Sequence, residues 1–557
     1  MSADPKNPLI VQSDKTLLLD IHAEQAEAAR SAIMPFAELE KSPEHIHTYR
    51  ITPLSLWNAA SAGLSAEHIV NALETWTRYP IPQGVARGFS DTMERYGKIR
   101  LIAAGGAASD SELLLVSDDA AIKAEIAASK NLGKYLTQTE EGFSLRLVDR
   151  GSVKRELIKL GWPLKDEAPL RDGEPLAVRL RSATLSGAVF TVRDYQKEAV
   201  RAVLGDGAPG SGYGVVALPC GAGKTIAGIQ LMAELNTNTL ILTANTAAVH
   251  QWIAELLDKT ELTNDQIAEY TSDSKRTAPV TVATYQILTW RADKNADFPH
   301  FILFRARAWG LIIYDEAHLL PAPVFRVTAE LQAVRRLGLT ATLVREDHEE
   351  DAVFSLVGPK RYDMPWKDLE AKGWIAEALC MEIRVKLPKE LKIPYAVAST
   401  REKYRIASEN PLKETIVRQL VELHAEERIL VIGQYVQQLE GIARLLKAPG
   451  VTGKTPAAER ERVYAAFRSG EVKIIVVSKV ANFAIDLPDA SMLIQVSGSF
   501  GSRQEEAQRL GRILRPKKRN SLFYTLVSRY TVEEEFAANR QKFLAEQGYK
   551  YSIQQWE

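Results

Sequence analysis

Three short stretches of this 557-residue chain carry residue types that together could move a phosphoryl group. The first is Pro219-Cys220-Gly221-Ala222-Gly223-Lys224-Thr225, set between an apolar, strand-like run at 214–218 and a helical run at 226–235. Glycines let backbone amides wrap a phosphate, and the helix N-terminus adds partial positive charge. Lys224 would reach the β- and γ-phosphates and the Thr225 hydroxyl would bind Mg²⁺, although Leu218 stands where the usual G-x-x-x-x-G-K-[ST] pattern has its first glycine. The second stretch is Leu311-Ile312-Ile313-Tyr314-Asp315-Glu316-Ala317-His318, an apolar run ending in two adjacent carboxylates. Asp315 would hold Mg²⁺, directly or through water, and Glu316 would orient an attacking water. The third is 504–515, where Arg512 and Arg515 lie three apart and so share a helix face. Two guanidiniums there can neutralise charge developing on a γ-phosphate. A Gly-rich turn, a solvated acidic loop or a basic helix is commonplace alone. Their combination is the division of labour that phosphoryl transfer needs.

The elements that must position these loops are legible as periodic runs. Strand-like runs at 214–218, 239–243, 280–284, 310–314 and 336–340 alternate with helical segments, and a second series follows at 428–433, 473–478, 492–496 and 521–527. Such alternation predicts an α/β protein with two tandem parallel-sheet lobes, at 177–375 and 376–557. Before them, 165–176 is rich in Pro, Asp, Glu and Gly and is expected to be a linker. Residues 91–170 read as a small ββαβα unit: strands at 98–103 and 112–117, a helix at 120–129 opened by Asp118 and Asp119, a strand at 143–148, and a helix at 152–160 ended by Gly161. Residues 1–90 read as an accessory domain with one strand, 16–20, and helices at 65–78 and 90–97. In the first of these helices Ser65 caps the start and Pro80 stops the end. No internal repeat stands out.

Composition excludes several classes. Hydrophobic residues at 46% and charged residues at 25% suit a core-forming globular chain. No run approaches the ~18 apolar residues of a membrane span, and residues 1–7 lead into no secretory-type stretch. The two cysteines, Cys220 and Cys380, support neither a disulfide framework nor a zinc site and fit a reducing, cytoplasmic setting. Seventy basic residues balance seventy acidic ones, so a uniformly basic shell is absent. The zero is an average over unlike surfaces: between 501 and 519, Arg503, Arg509, Arg512, Arg515, Lys517, Lys518 and Arg519 stand against Glu505 and Glu506.

In family terms, residues 190–530 resemble superfamily-2 helicases and translocases, and most closely the XPB family. Ordered motifs carry the likeness: FTVRDYQKEAV at 190–200, LPCGAGKT, 239–252, TVATYQ at 281–286, DEAH, LGLTATLVRED at 337–347, SKVANFAIDLP at 478–488 and QRLGRILRPKK at 508–518. The resemblance implies two RecA-like lobes, small α+β N-terminal domains with a damage-recognition-like unit, and a short helical thumb near 386–410. It implies an ATP- and Mg²⁺-dependent DNA helicase or duplex translocase of 3′-to-5′ polarity, acting in nucleotide excision repair. Gln196 is then the adenine reader. His318, Gln508, Thr340, Thr342 and Asp486 couple nucleotide to DNA, while Thr284, Arg503 and the Arg345-Glu346-Asp347 element contact or open duplex or forked DNA. A nuclease or repair partner is implied by analogy, since this chain carries no nuclease constellation of its own, and a prokaryotic-type, nucleoid-associated member is expected. Two rivals stand beside it: an RNA helicase, and a structural DNA-binding subunit with little unwinding activity. Lys224→Ala and Glu316→Gln are each expected to abolish ATP turnover while leaving the circular-dichroism spectrum unchanged. Normal turnover in either would refute the assignment.

Overall fold

From residue 213 onward, the computed structural model is built around two parallel sheets whose central strands are buried on both faces. The structure describes residues 4–41, 45–104, 112–146, 149–168, 170, 172–205, 211–219, 221–293, 298–320, 324, 334–341, 350–364, 369–370, 378–478, 490–498, 521–546 and 551–556. A seven-stranded sheet is built from β10 (Tyr213–Ala217), β11 (Thr239–Thr243), β12 (Ile267–Tyr270), β13 (Val280–Thr284), β14 (Leu311–Asp315), β15 (Arg335–Thr340) and β16 (Lys360–Asp363). Every residue of β10, β11 and β13 is buried. Helices on both faces of a parallel sheet demand such continuous apolar runs. A second sheet of seven comprises β17 (Ala378–Val385), β18 (Ile429–Gly433), β19 (Gly450–Val451), β20 (Ile474–Ser478), β21 (Met492–Gln495), β22 (Ser521–Ser528) and β23 (Tyr551–Trp556).

The strand orders are β12-β13-β11-β14-β15-β10-β16 and β19-β20-β18-β21-β22-β17-β23. Counted from each sheet's own first strand, both read 3-4-2-5-6-1-7, and all pairings are parallel. The two tandem parallel-sheet lobes that the alternating runs predicted are present, and each has the same RecA-like strand order. The repeat lies in strand order, which packing preserves, and leaves no trace of similarity in the sequence. Edge strands β12, β16, β19 and β23 and the first strand β17 escaped the sequence reading. β16 and β23 are only partly buried, so their apolar signal is weak.

The N-terminal third holds two smaller sheets. β1 (Leu9–Val11), β2 (Thr16–Asp20), β3 (Glu38–Lys41) and β4 (Ile46–Arg50) pair antiparallel in the order β1-β2-β4-β3. The sequence reading found one strand here, because β3 (ELEK) and β4 (IHTYR) are too polar to stand out. The helix expected at 90–97 runs instead over Val85–Met93. It starts after Gly84 at φ 88° and buries Val85, Phe89 and Met93 at four-residue spacing. The Ser65 cap is as expected, with its side chain accepting from the His68 amide. β5 (Ile99–Ala103), β6 (Glu112–Val116), β7 (Thr137–Gln138), β8 (Phe143–Arg146) and β9 (Leu164–Asp166) form a five-stranded sheet in the order β7-β8-β6-β5-β9. The predicted ββαβα unit thus gains two strands. β9 occupies the start of the segment read as a linker, where its acidic ending disguised it.

That acidic ending is a buried anchor. Asp166 accepts from Arg150 Nη2 at 2.7 Å, Arg150 Nε at 2.9 Å and Lys154 Nζ at 3.0 Å, and its backbone carbonyl accepts from the Tyr213 hydroxyl at 3.0 Å. The buried Arg336 guanidinium of β15 lies 4.8 Å from the Tyr213 ring centre. The Asp166 carboxylate therefore neutralises cations of the small domain, while its backbone carbonyl ties that domain to Tyr213 of β10, on which Arg336 of β15 packs. Burial would raise the Asp166 carboxyl, but Arg150 and then Lys154 outweigh it and hold it well below the usual carboxylate range. Its unfolded value is about 4, so its stabilising contribution is complete above about pH 4 and is lost as pH falls below that. Asp166→Asn is expected to cost about 3–5 kcal/mol, read as a lower denaturation midpoint, and to flatten the acid-side loss of stability.

Candidate nucleotide site

The carboxyl ends of β10 and β14 flank that of β15, so the sheet brings the first two candidate stretches side by side. Past β10, Gly221 and Gly223 take φ values of 81° and 77°, the left-handed region that favours glycine. A Cβ at Gly223 would sit 2.6 Å from Gln196 Nε2. The loop is thus a cradle that side chains would fill. Gly223 caps the helix Lys224–Leu235, and Thr225 lies in its first turn. Pro219, Gly221, Ala222 and Gly223 lie in the turn between β10 and this helix, while Cys220 lies outside the described residues.

Lys224 Nζ stands 3.3 Å from Glu316 Oε1. Glu316 itself has φ 51°, an uncommon conformation for a non-glycine residue and one that clusters at functional sites. Its Oε2 is 3.5 Å from His318 Nδ1, and His318 Nδ1 shares a 2.7 Å hydrogen bond with Thr340 Oγ1 at the end of β15. Burial would raise the Glu316 carboxyl, but the Lys224 charge and then that of His318 hold it below its ordinary value. Asp315 is pushed the other way, up to about 6, by burial first and the neighbouring Glu316 charge second. The two carboxylates are thereby separated in acidity, Glu316 the stronger acid and Asp315 the weaker. The Thr225 hydroxyl and the Asp315 carboxylate are hard oxygen donors of the kind that would suit Mg²⁺, beside a glycine turn whose amides would suit phosphate.

Gln196 is buried against this cradle. Its Oε1 accepts from the Arg193 amide at 2.9 Å, and its Nε2 donates to the carbonyls of Ala222 at 3.0 Å and Gly223 at 3.3 Å. The structure thus ties it to the loop backbone. Thr284 caps the short helix Tyr285–Thr289, accepting from the Ile287 amide. Thr342, Arg345, Glu346, Asp347, Asp486, Arg503, Gln508, Arg512 and Arg515 lie outside the described residues. Three residues of the site escaped the sequence reading. The Tyr195 hydroxyl donates to the Ala222 carbonyl at 2.7 Å, the Tyr285 hydroxyl to the Asp315 carbonyl at 2.9 Å, and Trp252 Nε1 to Asp315 Oδ2 at 2.9 Å. No local signal links Trp252 to a carboxylate 63 positions away.

Two RecA-like lobes, with a GKT loop and a DE pair on strands of the first sheet, define a two-lobe nucleoside-triphosphate motor. Comparison with known proteins specifies which. A family model described as ERCC3/RAD25/XPB C-terminal helicase matches residues 369–556, and one described as type III restriction enzyme, res subunit, matches 189–345. A model described as helicase conserved C-terminal domain matches 9–141, which here covers the four-stranded sheet and strands β5, β6 and β7 of the five-stranded one. The chain is 52% identical over 98% of its length to a DNA 3′-5′ helicase XPB of Kineococcus radiotolerans, covering 96% of it, and 50% identical to that of Mycobacterium tuberculosis, covering 97%. It is 33% identical to the general transcription and DNA repair factor IIH helicase/translocase subunit XPB of Encephalitozoon cuniculi, over 98% of this chain and 82% of that one. The chain belongs to the XPB family of DNA 3′-5′ helicases.

Thr340→Val keeps the volume of β15's last residue but removes the hydroxyl that orients His318. A lost hydrogen bond of about 1 kcal/mol corresponds to roughly fivefold. Turnover is expected to fall by that factor with nucleotide affinity unchanged, as read from kcat and from equilibrium binding.

Proposed function

We propose that this chain is a DNA-stimulated ATPase that translocates on duplex DNA or unwinds it with 3′-to-5′ polarity, in repair of the nucleotide-excision type. The observation that carries the reading is the Lys224–Glu316 pair at the mouth of the glycine cradle, 3.3 Å apart, in a chain whose full length matches helicases of one family.

ATP would bind with its phosphates on the amides of 221–225. Lys224 would exchange Glu316 for the phosphates, and Glu316, held ionised, would orient the attacking water. Thr225 and Asp315 would hold Mg²⁺, which supplies charge neutralisation at the phosphates when bound. Arg512 and Arg515 would arrive from the second lobe as the lobes close, so that hydrolysis is gated by closure and closure moves DNA. His318 and Thr340, with Gln508, Thr342 and Asp486, would transmit the nucleotide state. Gln196 would read adenine from its place on the loop. Thr284, Arg503 and the Arg345-Glu346-Asp347 element would face the DNA, and a nuclease is the class of partner that could complete an excision step. The small N-terminal sheets would serve as accessory and damage-recognition-like domains.

The test is ATP turnover with duplex DNA, single-stranded DNA or RNA, alongside strand displacement from 3′- and 5′-tailed forks. Stimulation by DNA and displacement only from the 3′-tailed fork are expected. RNA-specific stimulation would favour an RNA helicase, and DNA binding without turnover a structural subunit. Because basic residues are localised rather than spread, the salt dependence of DNA binding should be shallow. A slope equivalent to ~10 phosphate contacts would contradict that.

A further inference from the structure

Trp252 lies on the helix Thr246–Lys259, which Asn245 caps by accepting from the Ala248 amide at 3.0 Å. Val249, Trp252 and Leu256 are this helix's buried residues, spaced three and four apart, so its periodicity alone turns the indole inward. Inside, the ring is 1% exposed and lies over Gly228 of the phosphate-loop helix. A Cβ at Gly228 would come within 2.7 Å of Trp252 Cη2. The indole therefore touches the helix that carries Lys224 and Thr225 and, at its other end, bonds the carboxylate that closes β14.

That bond has a specific consequence. An indole N–H is a donor only, so it can meet the Asp315 oxygen but cannot compete with it for a cation. Trp252 Nε1 donates to Oδ2 at 2.9 Å, and the Glu316 amide donates to Oδ1 at 3.1 Å. With one donor on each oxygen, the carboxylate cannot rotate without breaking one of these hydrogen bonds, and each oxygen keeps a lone pair for another partner. Packing alone would be served by any large apolar ring, and does not account for the nitrogen pointing at the carboxylate.

We propose that Trp252 is a positioning residue that orients the Asp315 carboxylate for Mg²⁺, and so links the helix 246–259 to the metal-binding step of the ATPase. This rests on the reading of Asp315 as the residue that holds Mg²⁺. Outer-shell partners of this kind typically carry 10- to 100-fold in metal affinity.

The test uses the full-length chain without DNA and a fluorescent ATP analogue, whose affinity is measured in EDTA and across a Mg²⁺ titration. Trp252→Phe retains an aromatic ring and deletes the N–H. It is expected to leave affinity in EDTA unchanged, to raise the half-saturating Mg²⁺ about 10-fold, and to shift the Mg²⁺ dependence of turnover by the same factor. Benzothienylalanine at position 252 keeps the indole's shape with sulfur in place of N–H, and should reproduce the shift if the phenylalanine variant does not fold. A half-saturating Mg²⁺ within twofold of wild type in Trp252→Phe overturns the proposal, as does a normal value with benzothienylalanine, which would make the ring a packing residue only. Asp315→Asn is the control for the site itself: it should abolish the Mg²⁺-dependent gain in nucleotide affinity. If it does not, the metal-site reading fails and takes the proposal with it, an outcome distinct from failure of the Trp252 variants alone.

Discussion

Two carboxylates placed side by side at the end of a buried strand repel each other and lose their water, and both effects oppose ionisation. Asp315 and Glu316 are in this position, and the first lobe is arranged around them. Glu316 is answered by Lys224 and His318, and His318 is in turn held by Thr340. Asp315 is answered by neutral donors, the Trp252 indole and the Glu316 amide. A full cation beside one group and dipoles beside the other separate the pair in acidity, which is the usual route by which one site supports two roles. The strand order supports this asymmetry, since β15 lies between β14 and β10 and brings Thr340 within reach of both.

The same strand carries a second electrostatic load at its other end. Arg336, near the start of β15, packs on Tyr213 of β10, whose hydroxyl reaches β9 of the small domain. Asp166 gathers Arg150 and Lys154 there, and burial pushes the Lys154 ammonium down to about 7 even with that carboxylate beside it. A buried hydrogen-bonded network rigidifies what it joins. The small domain is therefore keyed into the nucleotide-binding sheet through β10 and β15, the strands that lead to the phosphate loop and to Thr340. The four-stranded domain docks separately on edge strand β16, where Asn58 accepts the Lys360 amide at 2.9 Å and Arg361 donates to the Ser61 carbonyl at 2.7 Å. An exposed sheet edge is thereby covered.

Legibility in the sequence followed burial. Central strands such as β11 (TLILT) and β13 (VTVAT) were placed to the residue, because burial on both faces enforces an apolar run. Edge strands, and the polar strands β3 and β4 of the first sheet, carry no such enforcement and were missed. The helix at Val85–Met93 lies ahead of the 90–97 that Ser and Gly punctuation indicates, because the four-residue spacing of its buried face sets its position. At the site, Lys224, Asp315 and Glu316 were legible because phosphate chemistry needs those residue types at fixed local spacing after a strand.

The sequence alone determined the alternating elements, the glycine cradle, the two carboxylates and the family, since each is written in contiguous residues under local constraint. Only the tertiary structure decided that the two lobes repeat one strand order, that Asp166 is an anchor rather than part of a linker, and that Trp252 and Thr340 serve the carboxylates. Those facts depend on which strands become neighbours, and a parallel sheet joins strands through long crossovers that place partners dozens of residues apart. Periodicity reports which face of an element is buried, and the fold alone reports what lies on the other side.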